Sequence, residues 1–200
     1  MSTGEFLKEE DLLKPEVMIQ MYARGAFPMA DYDGSINWYM PEIRTIIPLD
    51  NYNVPRSLKK FMATSSFEFL YDNNPMQIIK SCSERDNTWI SDKLIAAYKK
   101  LLDLGYVHSV EVLSSGELVG GLYGISYRGC FYGESMFSHV QNASKAALVK
   151  LIERLNKRDY VLLDVQYLTP HLKMFGAVEI SIDEFFSLLN KGYKVQTDFS

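Results

Sequence analysis

Three β segments follow one another with almost nothing between them: Val107 to Leu113, Leu118 to Tyr127, and Cys130 to Phe137. Only Ser114-Ser115-Gly116-Glu117 and Arg128-Gly129 separate them, and connections that short make neighbouring strands run antiparallel. No other stretch constrains the chain as tightly as this meander. Four glycines (Gly120, Gly121, Gly124 and Gly133) lie in or beside it. Glycine weakens a strand, so such positions mark a bulge or a close approach of another backbone or a ligand.

The chain beyond the meander predicts a helix over Ala143 to Arg158, with Asn142 as its N-cap and Ala147, Leu148, Leu151, Ile152 and Leu155 as its buried stripe. A strand over Tyr160 to Tyr167 comes next. A crossover of this length requires it to lie parallel to the strand before the helix if both share a sheet. Upstream, helices are predicted over Lys14 to Ala23, Pro55 to Met62, Pro75 to Cys82 and Ser91 to Leu104, with strands over Ile36 to Trp38, Ile43 to Leu49 and Phe67 to Tyr71. Pro48 assigns the second of these strands to a sheet edge, and Phe27-Pro28-Met29, with no strand assigned to it, leads into a loop. Ser181-Ile182-Asp183-Glu184 is a capping box. The fold class is α+β: a small N-terminal α/β lobe, residues 1–64, then a domain over residues 65–200 with a mixed, mostly antiparallel sheet.

Composition narrows the function. A hydrophobic fraction of 47% with 23% charged residues is that of a globular protein, and no run reaches the eighteen or so apolar residues that span a bilayer. Met1 to Lys14 is polar and acidic, without the basic and apolar regions of a secretory signal. Cys82 and Cys130 are the two cysteines, too few for a disulfide framework, and the three histidines have no metal-ligand spacing. The expectation is a cytoplasmic protein with no metal and no cofactor. A net charge of −4 argues against a coat of nucleic acid and leaves room for a local basic patch.

Two places can carry chemistry. Along the strand over Tyr160 to Tyr167, alternation puts Leu162, Asp164 and Gln166 on one face. Either that face is a solvent-facing edge, or Asp164 accepts from the Gln166 side-chain amide and leaves its carbonyl free to meet a proton-bearing group. Glu134 interrupts an apolar strand, where an unpaired carboxylate is costly. It is either an ion-pair partner, for example of Arg128, or it recognises an amine or hydroxyl in a pocket lined by Leu122, Phe131, Met136 and Leu163. Two basic groups can meet a polyanion: Arg56, Lys59 and Lys60, and then Lys145, Lys150, Arg154, Lys157 and Arg158 on the long helix. Such charges are otherwise an ordinary solvated face. Trp38 and Trp89 add possible surfaces for base stacking, or simply fill the core.

In chain order, the blocks Tyr22-x-Arg24-Gly25-x-Phe27-Pro28-Met29, Trp38-Tyr39-x-Pro41-x-x-Arg44, Arg56-Ser57-Leu58-Lys59-Lys60, Thr88-Trp89-Ile90, His108-Ser109-Val110-Glu111, Leu118-Val119-Gly120-Gly121-Leu122-Tyr123-Gly124, Gly133-Glu134-Ser135-Met136-Phe137-Ser138, Asn142-Ala143-Ser144-Lys145 and Asp164-x-Gln166 resemble the leucyl/phenylalanyl-tRNA–protein transferase family from about residue 20 to 186. The resemblance implies a C-terminal domain with a GCN5-related acetyltransferase-like fold. It implies transfer of Leu or Phe, and less readily Met, from aminoacyl-tRNA to the N-terminal Lys or Arg of acceptor proteins, marking them for N-end-rule degradation. It makes Asp164 and Gln166 the catalytic pair and sets Glu134 at the aminoacyl-adenosine end. Trp89 with Trp38 and Tyr39 falls at the terminal adenosine, and Leu122, Phe131, Met136 and Leu163 fall at the side-chain pocket. Where the family often reads Trp-Trp-Ser-Pro this chain has Trp38-Tyr39-Met40-Pro41, which bears on adenosine stacking. The implied partners are tRNA, held by Arg56, Lys59, Lys60, Lys145 and Arg154, and the acceptor protein; the enzyme is expected to be a monomer without a membrane.

Two rivals remain. An acyl-CoA-dependent N-acetyltransferase needs a glycine-rich turn before the long helix to receive a pyrophosphate, and Ser138 to Ala143 has no glycine. A non-catalytic tRNA-binding module has no use for Asp164 and Gln166 on one strand face.

Overall fold

The computed structural model describes residues 9–84 and 88–200; most of the N-terminal stretch read above for a secretory signal lies outside them. The meander forms as expected, with β5 (Val107–Ser114), β6 (Glu117–Tyr127) and β7 (Cys130–Ser138) paired antiparallel. Ser115 and Gly116 both take positive φ (53° and 81°). Those are the signs a two-residue type I′ turn needs to match the twist of its strands. Helix α6 (Ala143–Lys157) then leads to β8 (Leu162–Gln166), which pairs parallel to β7 from Cys130↔Leu162 to Tyr132↔Asp164. Gly120 is where α6 presses on the sheet: a Cβ there would lie 2.5 Å from that of Ala143, a clash only glycine avoids.

The remaining strands complete a seven-stranded sheet. β3 (Ile43–Ile46), β4 (Phe67–Tyr71) and β9 (Val178–Ser181) give the order β4-β5-β6-β7-β8-β3-β9. This corrects the edge assignment of the Ile43 strand. β3 lies between β8 and β9, and it ends at Ile46, so Pro48 is clear of the ladder. Two further readings change. Phe27–Ala30 is a strand, β1, paired with β2 (Ile36–Tyr39) in a separate hairpin. Asn142 adopts φ 68° and makes no side-chain cap. The Ser144 N–H donates instead to Ser138 Oγ (3.1 Å), so the strand before the helix caps it.

Helices cover both faces. α2 (Pro15–Ala23), α4 (Pro75–Ser83), α5 (Asp92–Asp103) and α8 (Ile182–Gly192) bury Met18, Tyr22, Ile78, Leu94, Tyr98 and Phe185 against one side. α8 opens with the expected Ser181–Glu184 capping box. α6 and α3 (Arg56–Thr64) close the other side over Val110, Leu122, Phe131 and Leu163. Phe199 is buried on this side, its ring 4.6 Å from that of His108, so the C-terminal segment packs as part of the core.

Candidate active site

β7 and β8 pair only as far as Tyr132 and Asp164, and beyond that couple they part. A cavity of about 390 Å³ opens there. Leu122, Met136, Leu148, Leu151, Leu163, Val165 and Leu172 line it, while Glu134, Ser135, Ser144, Gln166, Thr169 and His171 supply its polar groups. Phe27, Met29 and Trp89 also border it. An aliphatic wall with a few convergent polar groups suits an apolar ligand with one polar end.

Asp164 and Gln166 are brought together, though not by the bond expected from sequence. Asp164 is fully buried, so the solvent-facing alternative falls. Its carboxylate forms a two-pronged ion pair with Arg44, Nε to Oδ1 at 2.8 Å and Nη2 to Oδ2 at 2.5 Å. The Arg44 guanidinium lies between the rings of Phe27 and Phe185, 4.5 and 4.7 Å from their centres. Asp164 Oδ1 also accepts from the backbone N–H of Gln166 (3.0 Å), not from its side-chain amide. An Asp side chain bonded to the N–H two residues on imposes a turn. Gln166 accordingly has φ 60°, and the next N–H, of Tyr167, donates back to Val165 O at 2.8 Å. Left-handed backbone at a non-glycine residue costs about 1–3 kcal/mol and persists where the surroundings enforce it. The Gln166 side chain is thereby set against the cavity, with Nε2 buried and without a hydrogen-bond partner among the described residues.

Glu134 enters the cavity from the other strand. Gly133 pairs with Gly124 and Ser135 with Tyr123, so Glu134 is the extra residue of a β-bulge, a device that re-aims a side chain. It does not pair with Arg128, whose Nη1 donates to Tyr193 O (2.8 Å). Its carboxylate accepts from Tyr22 Oη (2.8 Å) and Tyr98 Oη (3.0 Å), two buried phenols from α2 and α5. Burial pushes its carboxyl up to about 7, against the opposing effect of the two phenol bonds. Burial also raises both phenols far above their usual value, so they remain donors at neutral pH. His171, at the start of the short helix Pro170–Lys173, is held below its usual value by burial and by Lys145.

The other expected residues divide. Leu122, Met136, Leu163 and Trp89 line the cavity. Phe131 is fully buried behind it, against Tyr160 and Phe199, where β7 and β8 are still paired. Trp38 stands edge-on to Tyr22, and Tyr39 donates to Asp31, both on the β1–β2 hairpin beside the cavity. Of the basic groups, Arg56, Lys59 and Lys60 are exposed and pair with none of the described residues. Arg154 lies over Tyr71 and Phe199, and its Nε donates to Phe199 O (2.6 Å). Lys150 bonds Glu153 and Arg158 reaches Asp198, so much of the α6 charge is engaged internally, while Lys145 stays beside His171.

Reading the sequence for chemistry missed Arg44, Tyr22, Tyr98 and His171 as site residues. The first two stood inside recognisable blocks, but nothing local showed what they touch.

Residues 46–190 match the family described as leucyl/phenylalanyl-tRNA protein transferase, and residues 11–42 match the N-terminal domain described for it. Three proteins named leucyl/phenylalanyl-tRNA–protein transferase are similar over 94% of this chain. The one from Herpetosiphon aurantiacus is 47% identical over 188 residues, 98% of its own length. Those from Salinibacter ruber and Rubrobacter xylanophilus are 40% and 41% identical, over 84% and 99% of theirs.

Proposed function

The chain belongs to the leucyl/phenylalanyl-tRNA–protein transferase family, and from that premise we propose that it moves leucine or phenylalanine, and methionine less readily, from aminoacyl-tRNA to the N-terminal Lys or Arg of acceptor proteins. The product is a peptide bond and an N-end-rule degradation signal. The observation that carries this reading is the cavity at the parting of β7 and β8, aliphatic along its wall and polar at Gln166 and Glu134.

The ester of aminoacyl-tRNA is already activated, so the enzyme chiefly has to hold an amine against a carbonyl. Good alignment is worth up to ~7–11 kcal/mol. Gln166 orients the amine by accepting its hydrogen bond. Asp164 and Arg44 act behind it, fixing the turn that presents its side chain. The Asp164 charge is neutralised by Arg44, so its part is positioning more than stabilising positive charge on the amine. The leucyl or phenylalanyl side chain lies along Leu122, Met136, Leu148, Leu151 and Leu163. One methylene there is worth only ~1–3 kcal/mol, so discrimination among apolar residues is partial. The terminal adenosine is assigned to Trp89 and the Trp38-Tyr39 hairpin, and the tRNA backbone to Arg56, Lys59 and Lys60. The enzyme acts as a monomer in the cytoplasm, a setting that suits two buried cysteines held in no disulfide.

Incubation with radiolabelled leucyl-tRNA and a protein beginning with Arg tests the reaction. Label should pass to that protein, and acetyl-CoA should yield no acetylated product. Absence of transfer from leucyl- and phenylalanyl-tRNA alike overturns the proposal. The tRNA path has its own test: Lys59→Glu with Lys60→Glu should weaken tRNA binding and flatten its salt dependence, by about one unit of log–log slope for each phosphate no longer neutralised. Unchanged affinity in a filter-binding titration would move the path to Lys145 and its neighbours on α6.

A further inference from the structure

The transfer has a proton to move. As the amine nitrogen bonds to the ester carbonyl carbon, the carbonyl π pair shifts onto oxygen and the nitrogen becomes positively charged. That nitrogen must lose a proton before the acyl–ribose bond breaks, and the ribose oxygen leaving with the bonding pair must gain one. The Gln166 carbonyl is too weak a base to keep a proton, and the Asp164 carboxylate is fully buried and bound by Arg44.

We propose that Glu134 is the general base of the reaction: its carboxylate takes the proton from the attacking nitrogen and returns it to the departing ribose oxygen. This rests on the transferase reading above. Glu134 and Gln166 each lie two residues beyond the last paired couple, Tyr132 and Asp164, on the two strands whose parting opens the cavity. The bulge turns Glu134 toward that space. Tyr22 Oη and Tyr98 Oη donate one bond to each carboxylate oxygen, which fixes the group and leaves a lone pair on each oxygen.

The charged and titratable groups facing it are Tyr22 on α2, Tyr98 on α5, Asp164 on β8 and Arg44 on β3. Together with burial they bring the carboxyl to about 7, near the operating pH at which a general base is most effective. Among the described residues lining the cavity, His171 is the other carboxylate or imidazole. Burial and Lys145 hold it down, which makes it the weaker base.

Single-turnover peptide-bond formation, measured against pH with saturating acceptor and leucyl-tRNA, tests the assignment in three forms of the enzyme. The native rate should rise with pH along two limbs, one near Glu134's value and one that follows the acceptor amine when an acceptor of lower amine pKa is used. Glu134→Gln should lower the saturated rate by about 10²–10⁴-fold, the range of general-base catalysis, and remove the first limb while tRNA affinity stays within about threefold. Tyr98→Phe should move the first limb to higher pH, because the carboxylate loses a donor that stabilises its charge. A Glu134→Gln enzyme with a native saturated rate and a raised KM would make the residue a binding group and overturn the proposal. So would an unmoved limb in a Tyr98→Phe enzyme with a native circular dichroism spectrum. Failure of the native enzyme to transfer at all would instead overturn the transferase reading itself.

Discussion

Arg44→Met should destabilise the fold by about 3–5 kcal/mol, the usual cost of leaving one member of a buried ion pair without its partner. Methionine keeps an apolar stem between Phe27 and Phe185 but leaves the Asp164 carboxylate charged and fully enclosed. The double variant Arg44→Met with Asp164→Asn removes both charges. It also retains an oxygen to accept from the Gln166 N–H, so it should recover most of the lost stability. If the pair acts by holding the turn at Gln166, part of the transfer activity returns with it. Urea unfolding of the single and double variants measures the difference. A single variant within about 1 kcal/mol of the native protein would mean that water or local rearrangement relieves the charge, contrary to the burial described.

Glu134→Gln should make the protein more stable at pH 8 by about 3 kcal/mol. In the folded protein the carboxyl keeps its proton up to about 7, against 4.5 for the unperturbed group. Between those values the native state binds a proton that the unfolded chain has lost, so stability falls as pH rises through this window. At about 1.4 kcal/mol per pH unit the whole gap amounts to about 3 kcal/mol. Below the window the two proteins should have similar stability; above it the variant keeps what the native enzyme has lost. Denaturant midpoints at about pH 4 and 8 decide it, and equal pH slopes for both proteins would show that the carboxyl is not strained by burial. Stability gained while the reaction slows is the trade expected of a charge retained for function.

The backbone architecture was largely legible because its signals are local. Ser115-Gly116 and Arg128-Gly129 declare their turns, the stripe on α6 declares a helix, and the length from Cys130 to Leu162 dictates a parallel return. The site was legible only in part because its decisive contacts join distant residues. Asp164 and Arg44 lie 120 positions apart and meet through the β3–β8 pairing, and Glu134 meets Tyr22 across 112. Local exceptions hid the rest. The positive φ of Gln166 replaces the side-chain bond inferred from strand alternation. Asn142 tolerates the left-handed conformation and so gives up the cap its identity suggested. Phe131 fits the apolar pattern of a pocket wall but stands below the point where the strands part.

The bulge at Glu134 also acts as a counter. Side chains on a strand alternate with a period of two, so one extra residue inverts the parity of everything after it. Phe131 and Met136, an odd and an even position, pack toward the same side of the sheet, while Phe137 joins Tyr132 on the other. One inserted residue therefore sets the phase of Ser135 to Ser138, and with it which side chains form the cavity wall and which seal the opposite core. Substitution at 134 alters the chemistry and leaves that phase intact. Chain length at this point is as much a part of the site as the carboxylate.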